Sequence, residues 1–327
     1  MTRESLFELR RRTFDTPHFK GIEFIEVEAK TIINHVPGSY LPFNWTINPY
    51  RGCSHACTYC FARVTHTYMD MDAGRDFETK IVVKVNAGEL LPKELRAKRW
   101  KGEHIAMGTA TDPYQRAEGR YKLMPKIIET LTAFRNPFSI LTKGTLIIRD
   151  LDLLVDASGA TDVSTAFSIG TLDEEAWSKS EPGTPHPRKR MEAVTRLNAA
   201  GIPCGVMVAP VLPGISDDLS KLRDVVTAAL DAGATHVSPI LLHLRPKVRE
   251  EYMAWLEDTY PNLVERYEAM YARSAYAPRN ARDALDREIS ELVRAAGGSG
   301  RAPTRPSHRG TRDKQPSRES TTQLSLL

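Results

Sequence analysis

The sequence predicts an α/β fold in which helices cover a parallel sheet, and two observations predict it. Six apolar runs of strand length alternate along the chain with amphipathic segments of helix length. Alternation of that kind requires parallel strands joined by right-handed crossovers. The helical segments also carry stop signals, with Gly201 and Gly233 each placed directly after an amphipathic run.

The elements follow in order. Residues up to about 20 are charged and read as a loosely attached arm. Residues 24–29 alternate apolar and polar and predict a short strand. The stretch 32–49 is rich in Pro, Gly, Asn and aromatics, and its Trp45-Thr46-Ile47-Asn48 predicts the first strand of the alternating series. A short helix is expected through Val64 and Tyr68, then a strand at 79–84 and a helix at 87–99. From there the pattern is regular. Strands are predicted at 104–108, 138–142, 162–168, 204–209 and 236–242. Between them, a helix at 121–134 carries Leu123, Ile127, Ile128 and Leu131 on one side. Further helices are predicted at 147–155, at 187–200 with Pro187 in the first turn, and at 217–232 with Ser216 as cap. Residues 248–296 read as two or three amphipathic helices, with Tyr252, Trp255 and Leu256, then Leu263, Tyr267 and Met270, then Leu285, Ile289, Leu292 and Val293 at helical spacings. The tail from Gly297 is rich in Gly, Ser, Pro and Arg and is expected to be disordered.

A chain of 327 residues with 41% hydrophobic content supports one large domain or two small ones. No apolar run approaches the ~20 residues that span a bilayer, so no membrane partner is expected. The N-terminal segment lacks a signal-peptide pattern. Four cysteines in so long a chain do not make a disulfide framework, and the expected location is the reducing cytoplasm. The net charge of +4 sits in the tail, where Arg301, Arg305, Arg309, Arg312, Lys314 and Arg318 face only Asp313 and Glu319. A neutral body argues against indiscriminate coating of nucleic acid, though not against a local basic groove.

Cys53, Cys57 and Cys60 stand in a C-x3-C-x2-C spacing within one loop. Structural zinc and most Fe–S sites take four protein ligands. Three thiolates so close together suit three corners of a cubane cluster, with the fourth iron open. The alternative is a zinc knuckle completed by His55 or His66, although zinc sites usually pair cysteines as CxxC twice.

Cys53, Cys57 and Tyr59-Cys60 resemble the CxxxCxΦC signature of the radical S-adenosylmethionine (radical SAM) enzymes. The resemblance implies a 4Fe–4S cluster on these cysteines, with S-adenosylmethionine chelating the free iron and yielding a 5′-deoxyadenosyl radical after an external donor supplies an electron. It implies that Tyr59 lies near the adenine. It also implies a partial (β/α)6 TIM-like barrel, here with a C-terminal helical cap and a disordered basic tail. The expected division is an N-terminal arm at 1–35, a core at 36–245, a cap at 246–296 and a tail at 297–327.

Barrel chemistry gathers at the carboxyl ends of strands. Gly108-Thr109 occupies the place of the family's Gly-Gly-Glu-like stretch, whose backbone meets the methionine amino group. Asp112, Tyr114 and Gln115 follow as polar groups aimed at the cavity, with an Asp-Pro turn as the plainer reading. Lys143 and Ser168 end the third and fourth strands and resemble the spore photoproduct lyase branch, where a Lys and a Ser at these ends contact the cofactor. That branch also carries a stretch matched by Glu181-Pro182-Gly183-Thr184, followed by basic residues as in Arg188 and Arg190. Arg188 and Lys189 read more plainly as a solvated helix start. The lyase's hydrogen-donor cysteine has no counterpart: Cys204 opens the fifth strand, at the wrong end, and reads as a buried apolar residue.

The terminal Gln323-Leu324-Ser325-Leu326-Leu327 is similar to the peptide by which bacterial DNA repair and replication proteins dock on the sliding clamp, with Leu327 in place of the usual Phe. The expected function is therefore a radical SAM enzyme, of lyase or transferase type, on an unidentified substrate such as a DNA or RNA base. The alternative is a non-catalytic zinc-binding adaptor docked on DNA or the clamp.

Overall fold

The computed structural model describes residues 10–37 and 41–298. The strands are β1 (Arg10–Thr13), β2 (Glu23–Val27), β3 (Ile33–His35), β4 (Trp45–Ile47), β5 (Tyr50–Arg51), β6 (Lys80–Lys84), β7 (Ile105–Met107), β8 (Phe138–Thr142), β9 (Val163–Ser168), β10 (Cys204–Val211) and β11 (Val237–Leu241). Six of them, β4, β7, β8, β9, β10 and β11, run parallel in sequence order, and β3 adds antiparallel to β4. This is the predicted alternation. The ladder stays open, ending at β3 and at β11, so the described pairings do not close a barrel.

A second sheet runs in the order β1-β2-β6-β5; the sequence predicted β2 and β6 as strands but not β1, β5 or their pairing. Its β2 and β6 are parallel, with antiparallel strands on both flanks. The segment expected as a loose arm thus carries an edge strand. Phe14 and Phe19 behind it pack on Phe24, each with ring centroids 5.4 Å away. The charge of residues 10–12 marks an exposed edge, which resists unwanted pairing.

Helices Ala87–Leu95, Leu123–Ala133, Leu151–Ala160, Pro187–Ala199 and Leu219–Asp231 connect the strands. Three details differ from expectation. The last of these helices is capped by Asp218, whose carboxylate accepts from Ser220 N, while Ser216 Oγ accepts from Leu212 N. Two helices meet at Lys122, whose φ of 50° breaks the run expected over 121–134; the Glu118 carboxylate accepts from Leu123 N and Met124 N and so caps the second. Residues Thr145–Asp150 form a 3₁₀ turn ahead of the helix expected from 147.

The main core buries Ile105, Met107, Phe138, Ile140, Phe167, Val206 and Val208 from the parallel sheet against Ile127, Leu131, Val194, Leu197 and Val225. A second cluster joins Tyr252, Leu256, Tyr267 and Tyr271 to Leu242 and to Cys57 and Tyr59 of the cysteine loop. The helices at Val248–Thr259 and Val264–Met270 therefore sit beside that loop. Helix Arg279–Ala295 instead places Leu285, Ile289 and Val293 in the main core.

Candidate functional site

One cavity of about 200 Å³ opens at the carboxyl ends of the parallel strands. Cys53, Cys57, Tyr59 and Cys60 line one side. Gly108 follows β7, Thr142 and Lys143 end β8, Ser168 ends β9, and Met207, Ala209 and Pro210 come from the far half of β10. Ligand sites in open α/β sheets occupy this position.

The cysteine loop is fixed from four directions. Gly52 needs its φ of 79°, and a Cβ there would press on His66 and on the carbonyls of Lys80 and Phe77. Gln115 clasps the loop, accepting from Ser54 N at 3.0 Å and donating to Gly52 O at 2.9 Å. Arg63 is buried and donates to Cys57 O from both Nε and Nη2, to the carbonyls of Ala73 and Gly74, and to Glu78. The Glu181–Thr184 stretch lies against the loop: Thr58 N donates to Ser180 O, and Gly183 N to His55 O. Gly183 has no room for a Cβ, which would meet Ser54 O.

A charged network stands behind the sulfurs. Lys143 Nζ donates to Ser168 Oγ at 2.5 Å, lies 3.4 Å from Glu181 Oε1, and sits 5.6 Å from the centre of the Tyr59 ring. Tyr59 OH also donates to Glu181. Arg190, fully buried, donates to Glu181 Oε2 at 2.5 Å and to Ser168 O at 3.0 Å. Burial alone would raise the Glu181 pKa, but Arg190 and Lys143 hold it down at about 2. Across the cavity, Asp112 accepts from Thr142 Oγ1 and Lys143 N, both at 2.6 Å, and lies 3.4 Å from His55 Nδ1. Burial opposes its ionisation too, yet His55 and these bonds hold it at about 2.

The thiols behave oppositely. Burial pushes Cys57 up to about 12, and it raises Cys60. Cys53 is raised by burial, then by Asp112 and the other two thiols. All three are free of disulfides. Bare thiolates are disfavoured here, and as cluster ligands these sulfurs would draw their stabilisation from the positive charge of bound iron. Among the described residues, no three His, Cys, Asp or Glu side chains converge as they would on a single ion. A cubane makes a different demand, one thiolate per iron around a shared cavity.

Residues 47–226 match the family described as Radical SAM superfamily. The chain belongs to the radical SAM superfamily. An uncharacterized protein of Mycobacterium tuberculosis is 48% identical over 283 residues, covering 86% of this chain and 83% of that one. An uncharacterized protein of Methanocaldococcus jannaschii is 29% identical over 260 residues, covering 78% and 89%. In fold, the chain is similar to spore photoproduct lyase complexed with dinucleoside spore photoproduct, with a TM-score of 0.65 at 16% identity over 90% of this chain and 86% of that one. Superfamily membership implies S-adenosylmethionine and a 4Fe–4S cluster as cofactors.

Of the residues read from the sequence, Cys53, Cys57, Cys60, Tyr59, Gly108, Lys143 and Ser168 share the cavity wall. Thr109 is half-buried and is not among the lining residues, which continue with Ala110, Thr111 and Asp112. Tyr114 points to Asp150 instead, at 3.1 Å. His66, proposed as a zinc ligand, has its Nε2 on Lys80 O at 2.9 Å. Cys204 is fully buried in the main core at the start of β10. Sequence reasoning missed the parts played by Arg63, Gln115 and Arg190. Arg63 carried a signal as a charged residue just after the motif, whereas Gln115 and Arg190 were named in the sequence without their contacts to the loop and to Glu181. The terminal peptide at Gln323, Leu324, Leu326 and Leu327 lies outside the described residues.

Proposed function

We propose that this protein is a radical SAM enzyme that holds a 4Fe–4S cluster on Cys53, Cys57 and Cys60 and acts on a nucleic-acid base. The observation that carries the first part is three free thiols, Cys53 and Cys57 buried and Cys60 half-buried, lining one strand-end cavity together with Gly108, Lys143 and Ser168. With an electron from an external donor, the bound cluster and S-adenosylmethionine supply a 5′-deoxyadenosyl radical. Every other contribution is made by the chain. Gly108, at φ 81°, lines the cavity and lets the Leu141 carbonyl of β8 come in where a Cβ would otherwise stand. Lys143 offers a cation for the cofactor carboxylate, and Glu181 and Ser168 hold its ammonium in place. Tyr59 offers a ring for the adenine, anchored through its hydroxyl by Glu181. Burial of the loop keeps water from the reacting centre.

The nucleic-acid part is supported by the likeness in fold to spore photoproduct lyase complexed with dinucleoside spore photoproduct, by the strand-end Lys and Ser, and by the clamp-like terminal peptide. A lyase reaction and a location in the reducing cytoplasm accord with this reading. The zinc adaptor lacks such support, since the family match and the likeness in fold both point to the radical SAM reading.

Anaerobically reconstituted protein should show the broad visible absorbance of an iron–sulfur cluster and release 5′-deoxyadenosine from S-adenosylmethionine under reductant. Ala at Cys53, Cys57 or Cys60 should remove both signals, and Cys204→Ala should keep both. A colourless protein with tightly held zinc overturns the reading.

A further inference from the structure

The mouth of the cavity carries a column of rings that the cofactor reading does not use. Phe61, directly after the last cysteine, and His243, just beyond β11, both line the cavity. Their ring centroids are 5.9 Å apart. His243 in turn stacks on Tyr276 at 5.5 Å and 27°, and the Arg282 guanidinium lies 6.0 Å from the centre of the Tyr276 ring. The column is held by backbone: residues 243 and 276 form an antiparallel bridge, and Leu244 N donates to Ala275 O at 2.7 Å. Both end rings reach solvent. Phe61 is 38% exposed and Tyr276 46% exposed.

Charge is concentrated on the same two segments. Residues 242–249 and 271–282 contain Arg245, Lys247, Arg249, Arg273, Arg279 and Arg282 and no Asp or Glu, with Glu250, Glu251 and Asp283 directly after them. Arg279 lies 3.5 Å from Asp283, and Arg249 donates to Tyr271 O. Arg245, Lys247 and Arg273 are exposed. On a body that is neutral before its tail, this is a local basic strip beside an aromatic stack. A hydrophobic pocket for an aliphatic substrate needs no such strip, and an acid-binding site needs no exposed rings. Rings with flanking cations suit a planar base joined to phosphates.

We propose that the Phe61–His243–Tyr276 column and its basic strip form the substrate subsite, on which an unpaired nucleotide stacks its base and rests its phosphates. This deepens the nucleic-acid reading above and rests on it. A base laid on the open face of Phe61 adjoins the cavity that holds the cysteines, so stacking delivers the substrate to the radical. Base–aromatic stacking tolerates any base, so the column supplies reach and affinity while the cavity interior sets selectivity.

The test uses full-length, cluster-loaded protein and two fluorescent single-stranded oligodeoxynucleotides of equal length, one with bases and one abasic. Binding is followed by anisotropy across a salt series. The parent should prefer the base-bearing strand about tenfold. Tyr276→Ala and Phe61→Leu should erase that preference, and Tyr276→Phe should keep it. Arg245→Glu with Lys247→Glu should weaken both strands alike and flatten the salt dependence. Equal binding of the two strands by the parent, binding of neither, or a preference that survives Tyr276→Ala overturns the proposal. Because the readout is binding, failure here is distinct from failure to cleave S-adenosylmethionine, which is measured separately.

Discussion

Arg190→Met is the sharpest probe of how the cofactor wall is held. The Met side chain keeps the aliphatic stem and removes the guanidinium. Arg190 is fully buried and donates to Glu181, Thr184, Ser168 O and Pro185 O. Without it, Glu181 keeps only Lys143 at 3.4 Å, the Tyr59 hydroxyl and Thr184. Removing one partner of a buried ion pair costs about 3–5 kcal/mol. The pH dependence of the loss is set by Glu181, on which Arg190 and Lys143 act together against burial. Glu181 is held at about 2 against an ordinary 4.5, and that gap corresponds to ~3 kcal/mol at ~1.36 kcal/mol per pH unit. The sign follows from the depressed pKa. The carboxylate's contribution is complete above its unfolded value and fades as pH falls through 4.5 toward 2. Urea unfolding should therefore show Arg190→Met less stable by at least ~3 kcal/mol at pH 7, with the deficit narrowing by about 2 kcal/mol at pH 3. A deficit below ~1 kcal/mol at pH 7, or one that does not change with pH, refutes the reasoning.

Two further perturbations test the strand-end glycine and the terminal peptide. Gly108→Ala puts a Cβ against the Leu141 carbonyl at a φ of 81°, and it should cost about 2–4 kcal/mol; an unchanged thermal midpoint contradicts the close approach of β7 to β8. Removing residues 323–327 should abolish pull-down of a sliding clamp by the full chain, and undiminished capture, or none by the parent, disposes of the clamp proposal.

The element series was legible because local pattern decides it. Apolar runs at 104–108 and 138–142 became β7 and β8 within a residue, since a strand buried on both faces reads as a continuous apolar stretch. The cysteine motif was legible for a similar reason, its three thiols being fixed by one short loop. The second sheet was legible only in part: β2 and β6 were read as strands, but β1, β5 and the pairing were not, since β6 starts 53 residues after β2 ends and β1 and β5 owe their strand state to the partners beside them.

What the sequence by itself determined is the order of strands and helices and the three sulfurs of one loop, because short-range periodicity and spacing carry both. Only the tertiary structure decided that Glu181 and Arg190 brace Lys143 behind those sulfurs, and that Phe61, His243 and Tyr276 stack at the mouth of the same cavity. Those residues lie far apart along the chain. Burial, hydrogen bonding and ring contact act between whatever the sheet brings together, and no local pattern encodes which partners those will be.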